Sequence, residues 1–526
     1  MVPGAGIEPA RLAAGDFESP ASTNFTTRAL GDRARGALER SRALYDVIKI
    51  LRARLPLGIL KPLIATNTVN GHFMQSLDLQ LARHASSLTY AALTPHALER
   101  AKVFLLDTLG VGIAGGSTPE IQPLLKAVRS WGEGAEVAVW GTDLKLPRGQ
   151  AVLVNAYQIH CQEYDCLHEG AVLHAMATLL PVLLAEAQVR GGVTGKQLLT
   201  ALAAGVDIAC TIGLASNLGL RFFRPATSGG FGAVAGLANL RGFDADTTLA
   251  AFGHQLAQVS GTMQAHTEGS VVLPLQIGLN ARAALQSCDL AQAGFPSLQT
   301  PLTGKFGYLT MFETDWNLGR AMVGLGQQSK IADLSHKPYP SGRATHGGIE
   351  GVMILREQAK FSMQDVAEIT VIGPPLINHL VNRPPLQNPT PNYARLCMPF
   401  ALAKVLQHGV LDAMHFRGDA LSDQQTYALA CKVVMQVDDN PNPNALGPQV
   451  VRVRLTDGRV LEHRIDAMLA SPTRPLSEQA RATKFDRCWQ LAAQPMRDSQ
   501  PLKDVVATLE NCLDIGDLVQ HLAASQ

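Results

Sequence analysis

The chain has 526 residues against roughly 100 to 200 for one domain, so several domains and a large core are expected. Lys plus Arg number 45 and Asp plus Glu 44, a balance that excludes a binder driven by bulk positive charge; no nucleic acid is expected as a partner. The 8 cysteines are scattered without a CxxC, which excludes a disulfide framework and a zinc ribbon and fits a reducing cytoplasm. The charge-free stretch from Pro225 to Leu240 is glycine-interrupted and too short to span a bilayer, so no membrane association is expected.

Residues 1–73 are rich in Pro, Ser, Thr and Gly and then basic from Arg28 to Arg54, without a sustained apolar face. Asp16, Glu18, Asp32 and Glu39 spoil an acid-poor transit peptide. The wording GAGIEPA, with STNFTTR after it, resembles a translated upstream transfer-RNA gene, so this segment is expected to be disordered or spurious, with the natural start near Met74.

Helical patterns follow. Thr94 and Pro95 read as N-cap and N1, Leu98, Ala101, Leu105 and Leu109 recur at helical spacing, and Gly110 and Gly112 are expected to end that helix. Further helices are expected over 149–162, 175–189, 194–215, 229–240, 244–259 and 275–291. Aromatics at 5% and abundant Ala, Leu and Gly suit closely packed helices. Beyond about 330, β-branched runs at 366–372, 431–437, 450–455 and 460–465 predict strands, with Asp457-Gly458 a hairpin turn and a helix over 398–408 between them. Helical patterning resumes from Leu476. The expected fold is mostly α with a smaller α+β domain: 74–332 and 466–526 form one discontinuous helical domain and 333–465 an α+β lid.

The densest titratable cluster is NAYQIHCQEYDCLHEGAVLH, which holds His160, Glu163, Asp165, His168, Glu169 and His174. Imidazoles and carboxylates in a partly buried site can exchange protons with a substrate; the plainer alternative is a solvated helix end. His160 with Glu163 and Asp165 with His168 keep a spacing that metal centres use, but no HExxH or other metal signature accompanies them, and no metal is expected. Cys161 and Cys166 read as small buried residues. In RFFRPATSGGFG, Arg224 stands before a helix start and suits a carboxylate, or else is a surface residue before a packing helix. In KPYPSGRATH, an ordered loop carries Lys337, Arg343 and His346, which would neutralise an acidic ligand.

Those segments, with LLDTLGVGIAGG, VTGKQLLTALAAGVDI and PLSEQARATKFD, resemble the MmgE/PrpD family, which includes 2-methylcitrate dehydratase, cis-aconitate decarboxylase and iminodisuccinate epimerase. The resemblance covers nearly everything after Met74. It implies a cofactor-independent lyase, dehydratase-like, acting on a small di- or tricarboxylate, in a homodimer. Decarboxylase, epimerase and non-catalytic carboxylate binder are the alternatives. It puts His174 on the family's active-site histidine and Lys337 on its cleft lysine; Glu163 replaces an aspartate. Leu167 stands for a threonine, Arg224 for a histidine, Leu273 for a lysine and Gly342 for a histidine or cysteine. The implied roles are His174 as proton carrier, Glu163 or Asp165 as its orienting acid, His346 or His168 as general acid, and Arg224, Lys337 and Arg343 as carboxylate binders.

Overall fold

The computed structural model describes residues 76–525. The expectation for 1–73 lies outside the described residues.

Helix α1 (Leu77–Ser87) leads into α2 (Pro95–Gly115), whose first turn is capped by the Thr94 hydroxyl accepting from the Ala97 amide at 3.1 Å. The helix does not stop at Gly110 and Gly112. Both are interior positions chosen for contact: a Cβ at Gly112 would lie 2.8 Å from the Trp140 ring, and one at Gly110 2.8 Å from that of Phe485. After α3 (Ile121–Arg129) and the short hairpin β1 (Val137–Ala138) and β2 (Lys145–Leu146) come α4 (Arg148–His160), α5 (Ala175–Arg190), α6 (Gly195–Leu214) and α7 (Arg224–Arg241). Helices α8 (Ala245–Leu256), α9 (Gln264–Glu268) and α10 (Val272–Gln292) complete this part.

Its centre is the α6–α7 contact. Leu198, Leu202, Ala209, Phe231, Val234 and Leu237 are buried in one continuous core, and α6, apolar and long enough to cross a membrane, is instead enclosed by its neighbours. The two backbones touch because neither side has a side chain in the way: a Cβ at Gly232 would sit 2.5 Å from the Ala209 Cβ and 2.6 Å from the Gly205 carbonyl oxygen. Helix α7 starts at Arg224, earlier than its glycine run suggests, because Pro225 fits its first turn.

Helix α11 (His346–Ala359) begins the second part, in which β3 (Val366–Gly373), β4 (Val433–Val437), β5 (Gln449–Leu455) and β6 (Val460–Ile465) form one sheet in the order β4-β3-β5-β6. The β3–β4 pair is parallel, which the intervening helices α12 (Pro375–Val381), α13 (Pro391–Arg395), α14 (Met398–His408) and α15 (Gln424–Ala430) permit; the other pairs are antiparallel. Val451, Val453 and Leu455 of β5 point into a core shared with Ile349, Val352 and Leu402, while Arg452 and Arg454 face out. The chain then returns: α16 (Glu478–Gln490) and α17 (Gln500–Ala507) place Phe485, Trp489, Leu502 and Val506 in the same core as Phe104 and Leu105 of α2. The Lys484–Asp107 ion pair at 2.7 Å fastens that junction.

A Gly232→Val chain is overpacked against backbone that cannot retreat, so it should lose about 1–3 kcal/mol or more of stability; urea unfolding monitored by circular dichroism measures it, and an unchanged midpoint would contradict the α6–α7 packing.

Candidate active site

Helix α4 delivers its last residue, His160, to the start of an irregular loop. Within that loop Glu163 adopts a left-handed backbone, φ 52°, a strained state for a residue with a Cβ. The loop is zipped to the segment 335–337 by paired backbone bonds, Leu167 N–H to the Ser335 carbonyl at 3.0 Å and the reverse at 2.7 Å. This pairing carries Lys337 from far along the sequence to Glu163, where its ammonium donates to Oε2 at 2.7 Å with both side chains buried.

From there the polar groups run in a chain. The other Glu163 oxygen lies 3.4 Å from His160 Nε2, and His160 Nδ1 meets Asp165 Oδ1 at 3.1 Å. The second Asp165 oxygen receives His174 Nδ1 at 3.0 Å, so one carboxylate is shared by two imidazoles whose ring centres are 4.7 Å apart. Ionised Asp165 only accepts, so each Nδ1 facing it carries a proton. That leaves His174 Nε2 as a lone pair, without a hydrogen-bond partner among the described residues, on the wall of a cavity of about 60 Å³.

Burial opposes charge on every member, and the partners decide the outcome. Burial lowers His160, but Asp165 and then Glu163 outweigh it and lift it to about 9, so this imidazole keeps its proton. His174 falls below the usual histidine value: burial lowers it, Asp165 pulls it up, and Lys337 and His160 push it down. Burial raises the Asp165 and Glu163 carboxyls, yet their neighbours, the His174 and His160 rings at the first and Lys337 and His160 at the second, bring both well below the ordinary range. The site therefore holds a protonated His160 beside a neutral His174.

The remaining wall is apolar: Leu167, Val172, Leu220, Phe223, Met263, Leu273, Leu380, Val381, Leu396 and Leu446 surround His160, Glu163, His174, His266 and Arg343. Gly342 also lines it, and a Cβ there would meet Leu396 Cδ2 at 2.9 Å. A roomier cavity of about 310 Å³ lies between α2, α16 and α17, but the shared-carboxylate cluster is not on its wall.

Several residues expected at the site lie elsewhere. Arg224 is buried, but its guanidinium is consumed by Glu313 (3.1 Å from Nε and from Nη2), Ser216, the Leu218 carbonyl and Asn444. These contacts tie it to its surroundings, and it does not line the cavity. His346 accepts from Arg343 through Nδ1 and donates through Nε2 to the Ser341 carbonyl, and His168 Nδ1 accepts the Ala171 amide; neither reaches the wall as a general acid. Burial and then Arg343 hold His346 well below the ordinary value, and burial brings His168 to about 4, so both are neutral. Lys337 joins the cluster but stands behind Glu163, and Arg343 reaches the wall already paired with Glu169 at 2.7 Å. Of the two acids expected to orient His174, Asp165 does so directly. His160, read in the sequence as part of the titratable cluster but given no catalytic role, lines the cavity, and so does His266, which the sequence did not single out.

His160, Asp165 and His174 could also face a metal ion, since their ligand atoms all lie within 4.8 Å of one another. Both Nδ1 atoms are, however, turned onto Asp165 as hydrogen-bond donors, so a cation there would have to displace those protons.

A large helical body, a smaller α+β part and a buried imidazole–carboxylate relay at an apolar cavity define an enzyme-like acid–base site. Family models agree on what the body is: the MmgE/PrpD N-terminal domain matches residues 79–321 and the MmgE/PrpD C-terminal domain residues 339–510. The chain belongs to the MmgE/PrpD family. Among curated proteins it is 24% identical over 471 residues to the cis-aconitate decarboxylase-like protein oryM of Aspergillus oryzae, covering 84% of this chain and 96% of that one. It is 24% identical to the human cis-aconitate decarboxylase (84% and 93% covered) and 24% to that of Aspergillus terreus (84% and 95%).

Two outcomes follow from this geometry. Arg224→Ala leaves Glu313 buried without its partner and should cost about 3–5 kcal/mol, whereas the paired change Arg224→Met with Glu313→Leu should restore much of it; urea titrations decide, and a fully stable Arg224→Ala chain would contradict the structural role. The raised His160 value also has a stability signature. Its contribution is complete below the unfolded-state value of about 6.5 and is lost as pH climbs through about 9. The stability gap between the wild-type chain and His160→Asn should therefore narrow over that interval, and a gap independent of pH would exclude a protonated His160.

Proposed function

We propose that the protein is a lyase of the decarboxylase type acting on a small carboxylic acid with a second carboxylate, and that His174 moves the proton. The observation that carries this reading is the single Asp165 carboxylate that fixes His174 Nδ1–H and leaves Nε2 unpaired, among the described residues, on a ring that lines the cavity. A neutral imidazole so held takes up a proton when an anion binds beside it, and Asp165 then stabilises the imidazolium.

In the proposed step the bond between a carbon and its carboxylate breaks, carbon dioxide leaves, and the electron pair spreads onto the neighbouring carboxylate. His174 Nε2, protonated from water when the anion binds, gives that proton to the carbon and is left neutral again as product departs. The apolar wall supports decarboxylation over dehydration, because a carboxylate stripped of water is raised in energy relative to the charge-delocalised transition state. The positions of His346 and His168 point the same way: expulsion of hydroxide needs an acid beside it, and neither expected acid lines the cavity. His160 holds its proton between two carboxylates and is a poor donor.

Similarity to cis-aconitate decarboxylases supports the reaction class. The cavity argues for a smaller and less charged substrate than a tricarboxylate. Leu167 and Leu273 stand where the family resemblance puts threonine and lysine, Lys337 and Arg343 are neutralised by Glu163 and Glu169, and about 60 Å³ is well under the roughly 300 Å³ usual for a ligand site. This chemistry is complete with side chains and calls for no cofactor.

A panel of cis-unsaturated dicarboxylates, substituted malonates and cis-aconitate, incubated with the full chain and followed by mass spectrometry, tests the proposal. Loss of carbon dioxide from a dicarboxylate, and a fall of about a hundredfold or more in His174→Ala with the fold retained, are expected. Loss of water in place of carbon dioxide, or full activity without His174, would overturn it.

A further inference from the structure

We propose that His266 is a second imidazole of the site, polarised oppositely to His174: Arg383 fixes it as the tautomer whose Nε2–H donates into the cavity, to the substrate oxygen on which negative charge collects. The inference relies on the lyase reading only for the identity of that oxygen.

The tautomer follows from what faces Nδ1. Arg383 Nη2 lies 3.2 Å from His266 Nδ1 and also donates to the His266 carbonyl. A guanidinium has donors only, so Nδ1 must be the lone-pair nitrogen, and in a neutral ring the proton then sits on Nε2. Asp165 imposes the reverse arrangement on His174. One imidazole therefore offers a base and the other a donor, and both lie on the same wall.

Protonation cannot easily erase this difference. His266 is buried, and burial, then Arg383 and His379, oppose a positive charge, with Glu163 alone favouring it; the ring is brought down to about 3 and stays neutral. Its Nε2 has no hydrogen-bond partner among the described residues, whereas a histidine serving only packing normally spends both nitrogens. A neutral donor aimed at a developing carboxylate charge stabilises it without giving up the proton, which is how an oxyanion is held.

Among the described residues, Arg383 has no counter-ion at hand. It is buried, no carboxylate lies within ion-pair distance among the described residues, and its Nη1 has no partner, although its plane covers the Tyr393 ring at 5.1 Å. An uncompensated buried guanidinium is costly, and here it lies next to a cavity whose other cations, Lys337 and Arg343, are already neutralised. It adds a net positive field for an incoming anion. The α+β part supplies it together with two further ties to the α9 end, Thr390 Oγ1 to the Gly269 carbonyl at 3.0 Å and Asn392 Nδ2 to the Ser270 carbonyl at 2.8 Å. Seating of that part on the helical body thus sets the tautomer of His266, which makes Arg383 a positioning residue.

The full chain labelled with 15N-histidine allows the test. Long-range 1H–15N correlation spectra, assigned by the signals lost in His266→Gln, should show His266 as the Nε2–H form and unchanged from about pH 5 to 8. In Arg383→Met the ring should stay neutral, because burial is the larger cause, but populate Nδ1–H. An Nδ1–H ring in the wild-type chain, or one titrating near the ordinary value, would overturn the proposal. On whichever acid of the panel is turned over, His266→Leu should lower kcat by about a hundredfold with KM little changed. His266→Gln, whose amide N–H falls near Nε2, should recover most of it; equal activity of His266→Leu and wild type would also overturn the proposal. If no acid is turned over, the lyase reading fails and the tautomer spectra alone decide the role of His266.

Discussion

The arrangement rests on one carboxylate divided between two rings. Asp165 is fully buried, and an isolated buried carboxylate would take up a proton; two Nδ1–H donors at 3.1 Å and 3.0 Å keep it ionised instead. With no anion bound, a second positive charge at this separation is disfavoured, and only one ring holds it. Glu163 breaks the tie, since it lies against His160 alone, and Lys337 in turn balances Glu163. Each group is needed to keep the next in its charge state. The result is a neutral His174 that presents a base to the cavity from a cluster with no net charge to spare.

Chain connectivity explains why such a cluster can be buried at all. His160, Glu163, Asp165 and His174 belong to one local segment, and Lys337 is brought to it by the bridge between Leu167 and Ser335. Lys484 adds a tie from the far end of the sequence by donating to the Tyr164 carbonyl at 2.9 Å, between Glu163 and Asp165. The C-terminal helices thus contribute to the geometry of a loop more than 300 residues upstream.

Much of the fold was legible because its signals are local. Thr94-Pro95 marks a helix start, β-branched alternation marks β3 to β6, and a twenty-residue cluster of acids and imidazoles marks the loop that carries the site. What was not legible depends on partners remote in sequence. Gly110 and Gly112 read as terminators until Trp140 and Phe485 are seen against them. Arg224 reads as a ligand until Glu313, a residue with no motif around it, is found on its guanidinium. His346 and Arg343 are sequence neighbours of Lys337, yet their polar atoms are absorbed by backbone carbonyls and Glu169. His266 could not be found at all from spacing, because its significance comes from Arg383 in the other part of the molecule.

The central claim concerns where protons sit, and neutron diffraction from a deuterium-exchanged crystal observes them directly. The account predicts deuterium on His174 Nδ1 directed at Asp165, a bare His174 Nε2, and deuterium on both nitrogens of His160. Deuterium on His174 Nε2 with a bare Nδ1, or a protonated Asp165, would contradict it.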